Sequence, residues 1–340
     1  MHCCKGENVM YIEKDSYGGF LPLELYNGTE YFAGYPEECV ARYKSGTTAL
    51  YAALLSLGKK RVWVPFFYCP SVWKAFRSER FSGFEFIPYH VGEDLMPKDA
   101  KQGEEDALIL VNYYGTMDKQ MQRYVHGKKN IIVDNAQAFF CPPVIAPGII
   151  NVYSCRKFIG VSDGAYVIGM DQVRPDLEPS YSSERIGYIC KSFEFGTNAV
   201  YKEKLEHTEL LSTEYKLMSP LTLAILKNTN YPWVCEKRER NFNYVHEKMA
   251  PYQQLKVTDH SAHAYCYPLL LNKDYRRAVI EKKIFIPTLW KELITPEFEG
   301  LPEYTLSANC LCLPIDQRYD IEDMEYICNK IIDLLEECDK

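Results

Sequence analysis

Three short stretches of this 340-residue sequence carry residue types that can do chemistry. Ser45, Gly46 and Thr47 form a turn of small residues that runs straight into the helical stretch Thr47 to Leu57. Such a turn can aim backbone N–H groups and a hydroxyl at an anion, helped by the positive end of the helix dipole. It can equally be an ordinary N-cap. Asp134 follows the run Asn130 to Val133 and is succeeded by Asn135, Ala136 and Gln137, so a carboxylate and an amide emerge together at the carboxyl end of a strand. Ligands bind at that edge of a parallel sheet, and turn-forming aspartates are common there too. Lys157 lies between a predicted strand and a Gly-containing turn that feeds the next strand. A lysine buried in such a setting has a lowered pKa and can condense with an aldehyde; next to Arg156 it can also be a plain surface lysine.

Together the three stretches offer an anion cradle, an acid and an amine. Pyridoxal phosphate needs all three: a seat for its phosphate, an acid to keep its ring nitrogen protonated, and an amine for its aldehyde. Ser154, three residues before Lys157, adds a hydroxyl for the phosphate.

The elements that must position these residues alternate. The run TTALYAALLSL reads as a buried helix capped by Ser45 and stopped by Gly58. Strands are expected at Arg61 to Pro65, Phe84 to Pro88, Ala107 to Asn112, Asn130 to Asp134, Ile149 to Ser154 and Ala165 to Gly169. Helices are expected at Ser71 to Arg80 and Asp118 to His126. This alternation predicts an α/β fold with a mainly parallel sheet between helices. Beyond Leu221 a charged helix (Glu236 to Met249), strands at Ala264 to Leu271 and Cys310 to Leu313, and an amphipathic helix from Ile321 to Cys338 predict a smaller α+β domain. The expected plan is a large domain over 36–225, a small C-terminal domain over 226–340, and residues 1–35 packed beside the small domain.

The order SGTTALYAALLSLG, a V-P strand end, VDNAQA and then KFIGVSDGA resembles the DegT/DnrJ/EryC1/StrS sugar aminotransferases, which are fold-type-I pyridoxal-phosphate enzymes. The match runs over residues 40 to 170, and LPIDQRYDIEDMEYI near the end is similar to that family's last strand and helix. The resemblance implies that Gly46 and Thr47 hold the phosphate, Asp134 pairs with the pyridine nitrogen, Gln137 contacts the ring's hydroxyl side, and Lys157 carries the cofactor. It also implies a homodimer. The sequence departs from the family in four places. The slot for the aromatic that stacks on the ring holds Cys69, so that role passes to the preceding Tyr68, next to Phe67. The segment before the lysine is short, which puts Ser154 at an S-x-x-K distance. The usual G-E-G-G reads Ser162, Asp163, Gly164, Ala165. The family's segment reaching the neighbouring subunit's phosphate with Asn and Arg aligns with Tyr215 to Met218, which has neither. The chain reads as a divergent branch.

Other constellations point elsewhere less strongly. His260 and His263 have H-x-x-H spacing but no acidic or cysteine partner at ligand spacing, so no metal site is expected. Cys310 and Cys312 alternate on one strand face, which suits core packing. Arg185, Arg238 and Arg240 could bind a carboxylate or diphosphate, and exposed arginine is the default. No G-x-G-x-x-G follows the first strand.

Composition fits this picture. Hydrophobic residues make up 47% and charged ones 25%, and 39 basic against 46 acidic residues give a net charge of −7, with no basic cluster to track a nucleic acid. Thirteen cysteines in an odd count without C-x-x-C read as reduced thiols. Acidic Glu7, Glu13 and Asp15 break any signal-peptide core, and no 18-residue apolar run occurs, so a cytoplasmic protein without a membrane anchor is expected. The expected activity is transfer of an amino group from an amino acid such as glutamate to a nucleotide-linked keto sugar. Elimination or decarboxylation on the same cofactor is the alternative, as is a non-catalytic binding or regulatory descendant of the fold.

Overall fold

The structure, a computed structural model, describes residues 19–21, 23–26, 28–170, 172–211, 214–256 and 263–338. Short runs rich in Val, Ile and Leu build its main sheet from seven strands: β1 (Val40–Tyr43), β2 (Arg61–Pro65), β3 (Glu85–Tyr89), β4 (Asp106–Val111), β5 (Ile131–Asn135), β6 (Ile149–Ser154) and β7 (Ala165–Gly169). Their order is β1-β7-β6-β5-β4-β2-β3. Only β7 runs against its neighbours, being antiparallel to both β1 and β6. Strands β4, β5 and β7 are buried along their whole length, which is why they read as unbroken apolar runs: helices cover both faces of the sheet.

Helix α1 (Gly46–Leu57) behaves as its sequence dictates. Ser45 Oγ accepts from Thr48 N at 3.2 Å, and Gly58 ends the helix in the left-handed region at φ 64°. Helix α2 spans Pro70–Phe76, starting on the proline and stopping short of the expected Arg80. The cause is local: Ala75 O accepts from both the amide and the hydroxyl of Ser78, at 2.9 and 2.6 Å, which closes a turn in place of the next helical bond. Strand β1 was not foreseen, being four residues long with Arg42 in its middle. Helix α3 (Asp118–Val125) fills the crossover between β4 and β5, and α4 (Gly187–Phe195), α5 (Tyr201–Leu211) and α6 (Pro220–Lys227) follow β7.

The rest of the chain comprises α7 (Tyr231–Met249), β8 (Tyr267–Leu270), α8 (Arg276–Glu281), α9 (Pro302–Asn309), β9 (Cys310–Leu313) and α10 (Ile321–Cys338). Strands β8 and β9 form an antiparallel pair. The alternation in β9 divides two cores: Leu311 and Leu313 join Phe242, Val245 and Ile331 of α7 and α10, while Cys310 and Cys312 join the main core. The ten described cysteines that the structure resolves as thiols are all free.

Residues near position 30 pack against β1, β6 and β7 of the main sheet. Phe32 sits among Phe139, Tyr153 and Tyr166, and the buried Glu30 accepts from Arg42 Nε at 3.0 Å and Tyr166 Oη at 2.6 Å. Much of the tyrosine content serves such interior bonds. Tyr89, Tyr113 and Tyr153 each place a buried hydroxyl on a backbone carbonyl, of Ile109, Phe67 and Cys141 respectively.

Candidate active site

The carboxyl edge of the main sheet forms the floor of a cavity of about 200 Å³. Register puts Val111, Asp134 and Val152 side by side at the ends of β4, β5 and β6, and all three line it. Gly46, Thr47, Tyr68, Asp134, Gln137, Ser154 and Lys157 all lie on its wall, so residues spread over more than a hundred positions meet in one place.

Each side chain is held by a local cause. Asp134 is buried, and its Oδ1 accepts from Ala136 N at 2.8 Å while Oδ2 accepts from the Tyr68 hydroxyl. Burial pushes its pKa up, partly offset by those bonds and by the Lys157 charge. Burial and the adjacent Asp134 push the Tyr68 hydroxyl far above its ordinary pKa, so it stays a donor. Gln137 Oε1 accepts from Tyr114 N at 2.6 Å, which leaves its amide N–H groups for another acceptor. The backbone passes tightly here: a Cβ on Gly115, at φ 72°, would come within 2.4 Å of Gln137 O and 2.5 Å of His263 O.

The anion cradle and the lysine turn are stapled together by one glycine. Gly164 N donates to Lys44 O at 2.7 Å, just before Ser45, and Gly164 O accepts from Cys155 N at 3.1 Å, at the start of the turn that carries Lys157. Its φ of 117°, and contacts of 3.1 Å from a built Cβ to Cys155 Sγ and Thr222 Cγ2, restrict the position to glycine. The neighbouring Asp163, which stands in the departed G-E-G-G segment, is spent on the start of α6: it accepts from Ser219 N, Ser219 Oγ and Thr222 Oγ1. Lys157 itself is exposed at the cavity mouth, not buried as its strand-turn setting suggested, because the 3-10 turn Cys155–Lys157 buries Cys155 and turns the lysine outward. Its Nζ lies 5.5 Å from the centre of the Tyr265 ring.

Behind the cradle, Glu214 bonds both Lys44 and Arg185. The Arg185 hydrogen bond, followed by that of Lys44, holds its carboxyl down at about 2 from the usual 4.5. A depressed carboxyl pKa contributes stability that is present above the unfolded-state value and lost as pH falls through the folded one. The wild-type melting temperature therefore drops between about pH 4.5 and about pH 2 more steeply than that of Glu214→Gln, which is also the less stable protein at pH 7. Parallel melting curves of the two across this range would reject the pairing as a stabilising contact.

Among the cavity residues that the sequence reading did not place there are Arg156, Thr208, Leu211 and Trp290. Thr208 and Leu211 come from α5, whose position no motif announces. Trp290 has a left-handed backbone at φ 58°, packs edge-on against Phe67 at 4.2 Å and lines the cavity. A bulky residue at positive φ is invisible in sequence, and the chain offered no other signal for it.

The remaining candidates take other places. Arg238 is fully buried, contrary to the solvated expectation, and donates to Ala264 O at 2.7 Å and Gln317 Oε1 at 3.1 Å. It lies 4.6 Å over the Phe158 ring, and burial pushes its pKa down to about 10. Gln317 in turn donates to Phe158 O at 2.8 Å, so the segment after β9 clasps the residue after Lys157. Arg240 pairs with Asp320 and Arg185 with Glu214. His260 lies outside the described residues. His263 does find the partners that its sequence neighbourhood lacks: it bonds Asp118, and Cys141 brings a third potential ligand atom within 4.8 Å. Burial raises the Asp118 pKa, but the bonds from His263 and Asn112 outweigh it and leave the carboxyl below its usual value. Cys69 and Tyr68 both line the cavity, and Tyr215 is packed away against Tyr51 with Arg80 over its ring. Among the described residues no helix is long and apolar enough to cross a membrane.

No protein-family model matches the chain, and no curated protein matches it in sequence. Solved structures do. The aminotransferase TlmJ from Streptoalloteichus hindustanus superposes with a TM-score of 0.59 at 15% identity, over 90% of this chain and 88% of its own. A DegT DnrJ EryC1 StrS aminotransferase from Brucella abortus gives 0.56 at 16% identity, over 87% and 85%. The E. coli GDP-4-keto-6-deoxy-D-mannose-3-dehydratase, with bound hydrated PLP, gives 0.55 at 14% identity, over 86% and 87%. The chain therefore has the fold-type-I architecture that these aminotransferases and the dehydratase share.

Proposed function

We propose that the protein is a pyridoxal-phosphate-dependent aminotransferase that moves an amino group from an amino acid such as glutamate onto a nucleotide-linked keto sugar. The observation that carries this reading is the meeting of Lys157, Asp134 and the Ser45–Thr47 turn around one cavity at the carboxyl edge of the sheet. The donor set fits the cofactor: a hydroxyl and helix N-terminus for the phosphate, a buried carboxylate for a ring nitrogen, and an amine at the mouth. When bound, the cofactor supplies an aldehyde that holds the donor's amine and a ring that takes up the electron pair released from the donor's α-carbon.

The chain's residues do the rest. Gly46, Thr47 and Ser154 would bind the phosphate, and Asp134 would keep the ring nitrogen protonated. Gln137 donates toward the ring's hydroxyl side. Tyr68 would pack against the ring, and its hydroxyl fixes the orientation of the Asp134 carboxylate. Lys157 Nζ would hold the cofactor at rest and would serve as the base and acid that moves the donor's α-proton. Trp290 and Leu211 narrow the site and limit water. The acceptor reacts by the same steps in reverse, which makes the kinetics ping-pong.

The test is an absorbance spectrum of the purified protein with cofactor, before and after glutamate. Loss of the bound-aldehyde band with formation of the amine form supports amino transfer. Elimination or decarboxylation leaves the cofactor unaminated over a turnover, and a binding protein leaves the spectrum unchanged.

The reading includes a cytoplasmic homodimer. What supports assembly is α4, which buries no residue of its own, with Phe193 94% and Phe195 70% exposed. Sedimentation at micromolar concentration checks it, and a fully active monomer would overturn it.

A further inference from the structure

Among the described residues Arg156 forms no ion pair; the Asp163 charge reaches it only at a distance. Arg156 stands between Ser154 and Lys157, on the turn after β6, and lines the cavity together with Gly46 and Thr47. Its NH1 reaches Thr208 Oγ1 at 3.5 Å, and its other partner is the hydroxyl of Tyr188. Both are neutral oxygens. The nearby carboxylates form their bonds elsewhere: Glu214 is shared by Lys44 and Arg185, and Asp163 accepts three bonds at the start of α6, so it acts on Arg156 through its charge without a hydrogen bond. Protein surrounds the guanidinium closely enough that desolvation pushes its pKa down. Taking a cation out of water without pairing it is costly, and such a group is normally matched by an anion. The match here must come from the cavity. A planar guanidinium offers parallel N–H donors spaced for two oxygens of one phosphate.

We propose that Arg156 is the counter-ion of the bound cofactor's phosphate, completing from within one chain a seat whose other walls are the Ser45–Thr47 turn, Ser154 and Thr208. The assignment rests on the pyridoxal-phosphate reading above. The guanidinium neutralises charge that the backbone cradle only solvates, and α5 covers it through Thr208 and Tyr188 lies alongside.

The experiment compares wild type, Arg156→Gln and Arg156→Lys as cofactor-free proteins. It measures affinity for pyridoxal phosphate and for pyridoxal, which lacks the phosphate, together with thermal stabilisation by inorganic phosphate. Arg156→Gln is expected to bind pyridoxal phosphate about 10- to 100-fold more weakly, the range of a lost charge-assisted pair. Its pyridoxal affinity is expected to stay within about twofold of wild type, since that ligand needs Lys157 and Asp134 alone. Phosphate should stabilise wild type and lose that effect in Arg156→Gln, while Arg156→Lys falls between. Unchanged pyridoxal phosphate affinity in Arg156→Gln would overturn the proposal. Equal loss for both ligands would overturn it too, by showing a structural role. Phosphate that still stabilises the cofactor-loaded wild type through Arg156 would assign the residue to a substrate phosphate instead. Wild type that binds neither pyridoxal ligand would sink the cofactor reading itself, an outcome distinct from the others.

Discussion

Lys157→Ala is expected to abolish covalent attachment of the cofactor and all amino transfer while leaving the fold intact. No other amine lines the cavity among the described residues. The side chain is exposed, 5.5 Å from the centre of the Tyr265 ring and close enough for its charge to act on Asp134, so its removal takes away little packing and the cofactor-free variant should melt within about 1 °C of wild type, as typical surface substitutions do. Weak non-covalent binding through the cradle and Asp134 should remain. The measurement is borohydride reduction of the loaded protein followed by peptide mapping. A reduced pyridoxyl group found on any other lysine would remove the basis for the assignment.

The parts of this site that were legible in the sequence are those whose chemistry is local. Ser45 and Gly58 announce both ends of α1 because capping is decided by a few adjacent residues, and the run NIIVD announces a strand that ends in a carboxylate. Order along the chain was enough to suggest that Gly46, Asp134 and Lys157 share a cavity, since parallel strands deliver their carboxyl ends to one edge. What was not legible depends on distant packing. Lys157 sits in a strand-turn setting that reads as buried, and only the sense of the Cys155–Lys157 turn decides otherwise. Arg238 looks like a solvated helix residue until Ala264, Tyr265 and Gln317 enclose it. His263 lacks ligands nearby in sequence, and the fold supplies Asp118 from 145 positions away. Trp290 and Thr208 reach the cavity from segments with no motif of their own.

Asp134→Asn is expected to separate stability from activity. The carboxylate is buried, and burial pushes its pKa up despite the bonds from Tyr68 and Ala136 and the nearby Lys157 charge. An acid whose folded pKa is raised makes the folded state progressively less stable as pH rises from the unfolded value through the folded one. At neutral pH the ionised group is therefore a net cost to the cofactor-free protein. Asparagine has the same shape, accepts from Ala136 N through Oδ1, and meets the Tyr68 oxygen with its own N–H, so the variant without cofactor should melt at or above the wild-type temperature. With cofactor the order reverses. A neutral amide cannot hold a pyridine nitrogen protonated, so the ring becomes a poor acceptor of the released electron pair. Removal of proton from the donor should slow by roughly 10²- to 10⁴-fold, the range typical of removing a positioned charge or proton-transfer group. Cofactor affinity should fall less than the rate, because the phosphate end and Lys157 are untouched. Melting curves with and without pyridoxal phosphate, combined with single-turnover reaction with glutamate, measure both halves. A variant that melts well below wild type without cofactor would make Asp134 a structural residue, and wild-type single-turnover rates would remove it from the chemistry; the cost that burial imposes on this carboxylate is what a bound cation would repay.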